Sequence, residues 1–360
     1  MRVLIITDSF PPRNFGGMAQ HASHIANYLA QRHDVLVVAL RADRKYVGNA
    51  NGGYAVRPLL TKRFPALDFR LVAHAAHRFR ADVVHVCTAG LVDDRFSARF
   101  PVVTRVVGND FLRPWRGYNL LLRSVLYRLP GEKTRVAVSR WETQIRKAKV
   151  NGYLRASHTV AANSSWTRDR LLEAGVAPEH TEVIVGGVDT EVFQPAVDRA
   201  SVRELLGLRS DCPVLVTAGN LVGKKGFDTI LRVLARLTER PLPYYIVVGD
   251  GPEEERLQRL ASDLGVAGHV SFVGRKNQAE LAQYYRAADV YVLASQEETM
   301  GRTYFEAGAC GIPVLGARVG GVPDVVRHGE NGLLVDDPED EEAPARNSRG
   351  MGSGPDSRSC

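Results

Sequence analysis

Two doubly wound, parallel-sheet α/β domains are what this sequence predicts, and three features carry that expectation. Short apolar runs of strand length alternate with helical stretches through both halves of the chain. A length of 360 residues suits two domains, each large enough for a core of its own. The strand-like runs end in glycine-rich or polar loops that lead into helices, and open α/β sheets bind ligands beyond those strand ends.

In the first half, Arg2 to Ile6 reads as a buried strand, His21 to Arg32 has helical periodicity, and Asp34 to Leu40 is a second strand. Asp82 to Val86 and Val102 to Val106 are further short strands, and Thr134 to Val138 is expected to be another. The loop after the first strand, Thr7 to Gly17, is too long for a dinucleotide fingerprint, and its glycine pair comes late. That counts against a dehydrogenase. Gly16 and Gly17 precede a helix, so backbone amides there can approach a phosphate closely; a plain turn is the alternative. Further along, Asn163, Ser164, Ser165 and Trp166 read as strand end, cap and helix start.

In the second half, Pro213 to Ala218 is a strand, followed by the loop Gly219 to Gly226 with Lys224 and Lys225. A basic loop before a helix is a diphosphate site in outline. Tyr244 to Val248 and Val270 to Gly274 are strands, the latter followed by Arg275 and Lys276. Asp289 to Ala294 is a buried strand that leads into the most informative stretch, Ser295 to Pro313. Gly301 breaks the pattern there, and Arg302 to Cys310 look helical. The unpaired amides and positive dipole end of a helix N-terminus suit a phosphate. Glu298 sits in the loop and Glu306 about one turn into the helix. Each carboxylate can hold two neighbouring hydroxyls. A phosphate cradle between two such groups suits a nucleotide-sugar. The plainer alternative is a solvated loop residue and an ordinary helix-start glutamate.

Glu298 and Glu306, with Gly301 between them and Gly311, Ile312 and Pro313 after, resemble the Glu-x7-Glu motif of the family-4 (group 1) retaining glycosyltransferases. Gly320-Gly321-Val322-Pro323-Asp324 and Gly329 to Leu334 fit the same family, and the resemblance covers roughly residues 1 to 338. It implies a GT-B architecture, two Rossmann-like domains facing across a cleft that holds the active site. It also implies that Glu298 contacts the donor sugar, Glu306 the ribose, Gly16 and Gly17 the donor diphosphate, and that Lys225 neutralises the departing diphosphate. The base lies near the loop of Arg275. The donor set is then Gly16, Gly17, Asn220, Lys225, Arg275, Glu298, Met300, Gly301, Arg302, Thr303 and Glu306. Lys225, Glu298 and Asp110 are the catalytic candidates. Asp110 ends a segment resembling the family's His-Gly-x-Asp, where it either orients hydroxyls or caps the next segment. The sequence departs from the pattern twice. Val107 stands where a histidine is usual, and valine donates no hydrogen bond. Asn220 replaces an arginine, leaving a neutral amide in place of a charged fork; Lys224 or Arg302 could compensate. The stretch Gly186 to Pro195 resembles the family's inter-domain segment, which puts the boundary near Ala196, with domains at 1–195 and 196–338.

Charge is unevenly placed. Residues 1–190 carry 28 Lys and Arg against 15 Asp and Glu, and Phe111 to Arg155 alone carries 11 against 2. Arginines there interleave with Trp115, Tyr118 and leucines, which suits an element lying on anionic lipid as well as a helix packed on the sheet. No recognition module supports nucleic-acid binding. The four cysteines are scattered without metal or disulfide spacing, which favours a reducing cytosol. The chain opens directly on a strand, and no apolar run approaches membrane-spanning length. Glu339 to Cys360 lacks periodicity and reads as a disordered tail where the family continues with helices. The expected activity is transfer of a sugar from a UDP- or GDP-sugar to a hydroxyl acceptor, without metal or other cofactor. The acceptor could be lipid-linked, with the protein cytoplasmic or peripheral at the inner membrane face. The rival is a catalytically impaired nucleotide-sugar binder or scaffold, which Val107, Asn220 and the absent helices favour.

Overall fold

The computed structural model describes residues 1–7, 10, 17–40, 53–60, 65–87, 92–107, 144, 148, 150–208, 211–238 and 240–337. Gly16, Asp110, the expected strand Thr134 to Val138, most of the basic segment and the tail beyond residue 337 lie outside these. The chain forms two compact units, Met1–Ile184 and Val185–Cys360.

The first unit is built on a parallel sheet. Its elements are β1 (Arg2–Ile6), α1 (Gly17–Ala30), β2 (Asp34–Leu40), β3 (Ala55–Leu60), α2 (Pro65–Phe79), β4 (Val83–Val86), α3 (Asp94–Ser97), β5 (Val102–Val106), β6 (Thr159–Ala162), α4 (Ser165–Glu173) and β7 (Thr181–Val183). The spatial order is β3-β2-β1-β4-β5-β6-β7. Leu4 and Ile6 face α2 and α3 through Val72 and Phe96, while Val3 and Ile5 pack on Ala22 and Ala26 of α1. Burial on both faces is why β1 is apolar from Val3 to Ile6. β3 contains Pro58, which hides it from sequence patterning; its place at the sheet edge tolerates the missing donor. Ser164 caps α4 as its sequence position predicts, its Oγ accepting from Thr167 N at 3.1 Å.

The second unit repeats the design. It comprises α5 (Arg199–Leu205), β8 (Val214–Ala218), α6 (Phe227–Arg236), β9 (Tyr244–Val248), α7 (Glu254–Asp263), β10 (Val270–Gly274), α8 (Gln278–Ala287), β11 (Val290–Leu293), α9 (Arg302–Ala309), β12 (Val314–Ala317) and β13 (Gly332–Val335). All its strands are parallel in the order β10-β9-β8-β11-β12-β13, so the winding reverses between β8 and β11. α6 and α7 cover one face through Phe227, Leu231, Leu234 and Leu257, and α8 and α9 the other. Residues 185–195 belong to this unit by packing. Phe193 is buried in its core, and Arg286 on α8 donates to the carbonyls of Val192 and Gln194, each at 2.8 Å. Among the described residues no helix is long and apolar enough to cross a membrane.

One polar cluster interrupts the α1 face of the first sheet: His85 on β4, Cys87 just beyond it, Arg105 on β5 and His21 on α1. Burial, helped by the nearby Arg105 guanidinium, pushes the His85 imidazole down to about 4. The folded value lies below the unfolded one of about 6.5, so this contribution to stability is full above pH 6.5 and is lost as pH falls toward 4. The loss should approach roughly 3 kcal/mol. Thermal melts between pH 7 and pH 4 should therefore fall more steeply for the natural chain than for His85→Gln; parallel curves would refute the assignment.

Candidate active site

The site lies where the second sheet reverses, between the loops that follow β8 and β11. Such a switch point opens a crevice at the strand ends, and here backbone fit sets its shape. Gly226, with φ +66°, begins α6; a Cβ there would stand 2.0 Å from the Ala294 carbonyl oxygen, so only glycine lets the two loops touch. Gln296 N donates to Lys224 O at 2.9 Å and closes the contact.

This contact sets two basic residues against two acidic ones. Lys224 Nζ is 3.9 Å from Glu297, and Lys225 forms a direct, hydrogen-bonded ion pair with Glu298. The second pair is mostly shielded, with 20% of the lysine side chain and 14% of the glutamate side chain exposed. The Glu298 backbone is fixed from a third loop. Gly321 N donates to Glu298 O at 3.1 Å, and a Cβ on Gly320 (φ +54°) would stand 1.7 Å from that oxygen. Gly301 then turns the chain through the left-handed region into α9, whose first turn has no side-chain cap. The amides at Arg302 and Thr303 are thus open to an anion.

Glu306, one turn further, is only 5% exposed. Arg302 Nε stands 3.1 Å from its carboxylate as an ion pair, though without hydrogen-bond alignment, so that buried Nε lacks a hydrogen-bond partner. Tyr285 OH on α8 donates to Glu306 Oε2 at 3.4 Å. Burial raises the Glu306 carboxyl above its ordinary value, against the opposing pull of Arg302 and Tyr285. Tyr291 OH donates to Thr303 Oγ1 at 2.6 Å, and Tyr304 OH to the Leu293 carbonyl at 3.0 Å. The rings of Phe193, Tyr285, Tyr291 and Tyr304 run in sequence with centroid spacings of 6.0, 5.9 and 5.2 Å. This aromatic row runs through α8 and β11 to Tyr304 on α9, the helix that carries Glu306.

Of the residues named from sequence, Glu298, Gly301, Arg302, Thr303 and Glu306 sit along this loop and helix, and Lys225 meets them from the loop after β8. Asn220 is exposed at the end of β8. Arg275 is exposed at the end of β10 and engages Asp250 with Nη2 at 2.7 Å; that hydrogen bond lowers the Asp250 pKa. Met300 points into the core, 8% exposed, with Sδ 3.3 Å from Gly186 N. In the first unit Gly17 opens α1, and the Val107 carbonyl accepts from Asn163 Nδ2 at 3.0 Å. Sequence reasoning missed Glu297, the aromatic row and the contact that Gly320 and Gly321 make. The Gly-Gly pair was visible, but nothing local says which carbonyl it meets.

Comparison with known proteins identifies the family and the fold. The family model described as "Glycosyl transferases group 1" matches residues 198–356, and that described as "Glycosyltransferase Family 4" matches residues 15–192. A GDP-mannose-dependent alpha-(1-6)-phosphatidylinositol monomannoside mannosyltransferase of Mycolicibacterium smegmatis is 31% identical over 355 residues, spanning 93% of this chain and 85% of that one. A D-inositol 3-phosphate glycosyltransferase of Acidothermus cellulolyticus is 37% identical over 58% of this chain and 55% of that protein. Among solved structures, sucrose-phosphate synthase from Thermosynechococcus elongatus superposes with a TM-score of 0.75 at 21% identity, covering 97% of this chain and 89% of that one. Anabaena HepE in complex with UDP gives 0.70 at 24% identity, covering 98% and 90%. The fold is therefore GT-B, with two Rossmann-like parallel-sheet domains. The chain belongs to glycosyltransferase family 4, group 1, and is a glycosyltransferase.

The raised Glu306 pKa carries a consequence for stability. Ionisation of Glu306 is favoured more in the unfolded chain than in the folded one, so its contribution falls as pH rises through the folded value. Glu306→Gln, which keeps the shape and removes the charge, should melt progressively higher relative to the natural protein from pH 4 to pH 8. The same variant should bind nucleotide-sugar about 1–3 kcal/mol more weakly. Calorimetric melts and titrations check both; a stability gap constant with pH would contradict the electrostatic account.

Proposed function

We propose that this chain moves a sugar from a nucleoside diphosphate donor to a hydroxyl acceptor, with retention of configuration and without a metal ion. The carrying observation is the Lys225–Glu298 pair beside the uncapped first turn of α9, at the strand ends where a doubly wound sheet takes its ligand. On this reading the α9 amides and Lys225 take the diphosphate. Glu306 holds the ribose, and Glu298 turns from Lys225 to hydroxyls of the donor sugar. Negative charge on the leaving diphosphate grows toward the transition state, so preorganised donors there act on rate more than on binding. The mycobacterial relative is named for GDP-mannose and a phosphatidylinositol monomannoside. GDP-mannose and phosphatidylinositol-based lipids are accordingly the first substrates to try, with UDP-sugars beside them. A lipid-linked acceptor also fits the excess of 11 basic over 2 acidic residues between Phe111 and Arg155.

A binding and turnover screen of UDP-, GDP- and ADP-sugars tests the reading, with product anomer determined by NMR. Retained configuration in the presence of a chelator supports it; inversion or a metal requirement rejects it. Binding without turnover would favour an impaired nucleotide-sugar binder, to which the neutral, exposed Asn220 lends weight. In an active protein, Lys225→Ala should lower kcat on the order of 10²-fold with a smaller change in KM. A change confined to KM would count against Lys225 as the leaving-group partner.

A further inference from the structure

The polar cluster of the first unit contains none of the residues named above for the donor, and among the described residues its positive charge has no acidic partner. Arg105 is 5% exposed, and its Nε has no hydrogen-bond partner. Among the described residues no carboxylate pairs with it; burial lowers its pKa, and Cys87 offsets only part of that effect. His85 Nε2 is likewise buried without a hydrogen-bond partner, although the residue as a whole is partly exposed. β4 and β5 pair with His85 opposite Val103 and Val86 opposite Thr104, and continuing that register sets Cys87 beside Arg105. From α1, His21 approaches with its ring 6.0 Å from that of His85, and the ligating atoms of His21, His85 and Cys87 all lie within 4.8 Å of one another. The cluster lies at the carboxyl ends of β4 and β5, and the first sheet reverses its winding between β1 and β4.

Two ligand classes could complete such a cluster. Two imidazoles and a thiol form a donor set for zinc or another soft metal. A divalent cation would, however, stand near a buried guanidinium that no described carboxylate pairs with, and repulsion is strong in that medium. An anion supplies what is missing: a buried charge is costly unless paired, and a guanidinium fork matches a tetrahedral oxyanion. We propose that Arg105, His85 and His21 form a binding site for a phosphate group. Arg105 provides the charge, and the imidazoles provide N–H donors in the tautomers the anion selects. That this phosphate belongs to the sugar acceptor rests on the transferase reading; the site itself does not.

The test is NMR of the ring signals of His21 and His85 in the full chain, titrated separately with inorganic phosphate, a soluble inositol phosphate, and vesicles of phosphatidylinositol or of phosphatidylcholine. Saturable shifts of both rings are expected with at least one phosphate source and not with phosphatidylcholine. The responding source tells a free phosphate from a lipid headgroup. In Arg105→Gln the affinity should fall at least tenfold, while Arg105→Lys retains part of it. Ring shifts with zinc alone at micromolar concentration, no shift with any phosphate, or undiminished binding by a folded Arg105→Gln would overturn the proposal. The ring signals in the natural chain decide the matter even where a variant fails to fold. They also do so independently of whether the second unit binds nucleotide-sugar.

Discussion

The second unit depends on carbonyl oxygens that stand where no side chain fits. Ala294 O faces Gly226 and Glu298 O faces Gly320, at distances where a Cβ would collide with backbone. Backbone cannot move aside as a flexible side chain does, so these contacts fix three loops against one another before any ligand arrives. The Lys225–Glu298 pair is a consequence. Each residue comes from a different strand end, and they meet because Gly226 and Gly320 hold both loops in place. Precision in a binding site comes from such support as much as from the charged groups themselves.

Electrostatics in the site are arranged so that no described charge there is left alone. Lys224, Lys225 and Arg302 stand against Glu297, Glu298 and Glu306. Burial makes Glu306 the costly member, and the hydroxyl of Tyr285 with the guanidinium of Arg302 offset that cost. The row of buried rings explains why Tyr285 is in reach. Edge-on packing at 5.9 Å against Tyr291 fixes its orientation, and its hydroxyl must find a partner when buried.

Much of this was legible in the sequence, for reasons that differ by element. Apolar runs such as Arg2 to Ile6 and Tyr244 to Val248 coincide with β1 and β9, because strands buried on both faces have continuous apolar sequences. The strand at Ala55–Leu60 escaped because Pro58 and Arg57 break the pattern, and an edge position forgives both. Glu298, Gly301 and Glu306 were found because a strand, a glycine turn and a helix start leave a local signature. The partners that hold them, Tyr285 and the Gly320–Gly321 pair, come from other parts of the chain, and no local pattern encodes a tertiary contact. Met300, named in the donor set on the family resemblance, has a side chain that packs into the core of the second unit, with Sδ beside Gly186 N, and no local pattern indicated that burial.

On the proposed reading, the closed set of ion pairs couples sugar recognition to diphosphate recognition. A diphosphate adds negative charge to a region whose described charges already cancel, so it gains little from Lys225 while Glu298 holds that lysine. A sugar on the same donor offers hydroxyls to Glu298, and a carboxylate can accept two of them in place of the ammonium. Lys225 is then free for the diphosphate. Asn220 adds no charge to this balance, where an arginine would add a positive one. On that reading, discrimination between a bare diphosphate and a nucleotide-sugar rests on the Glu298 carboxylate, which must exchange its lysine for hydroxyls.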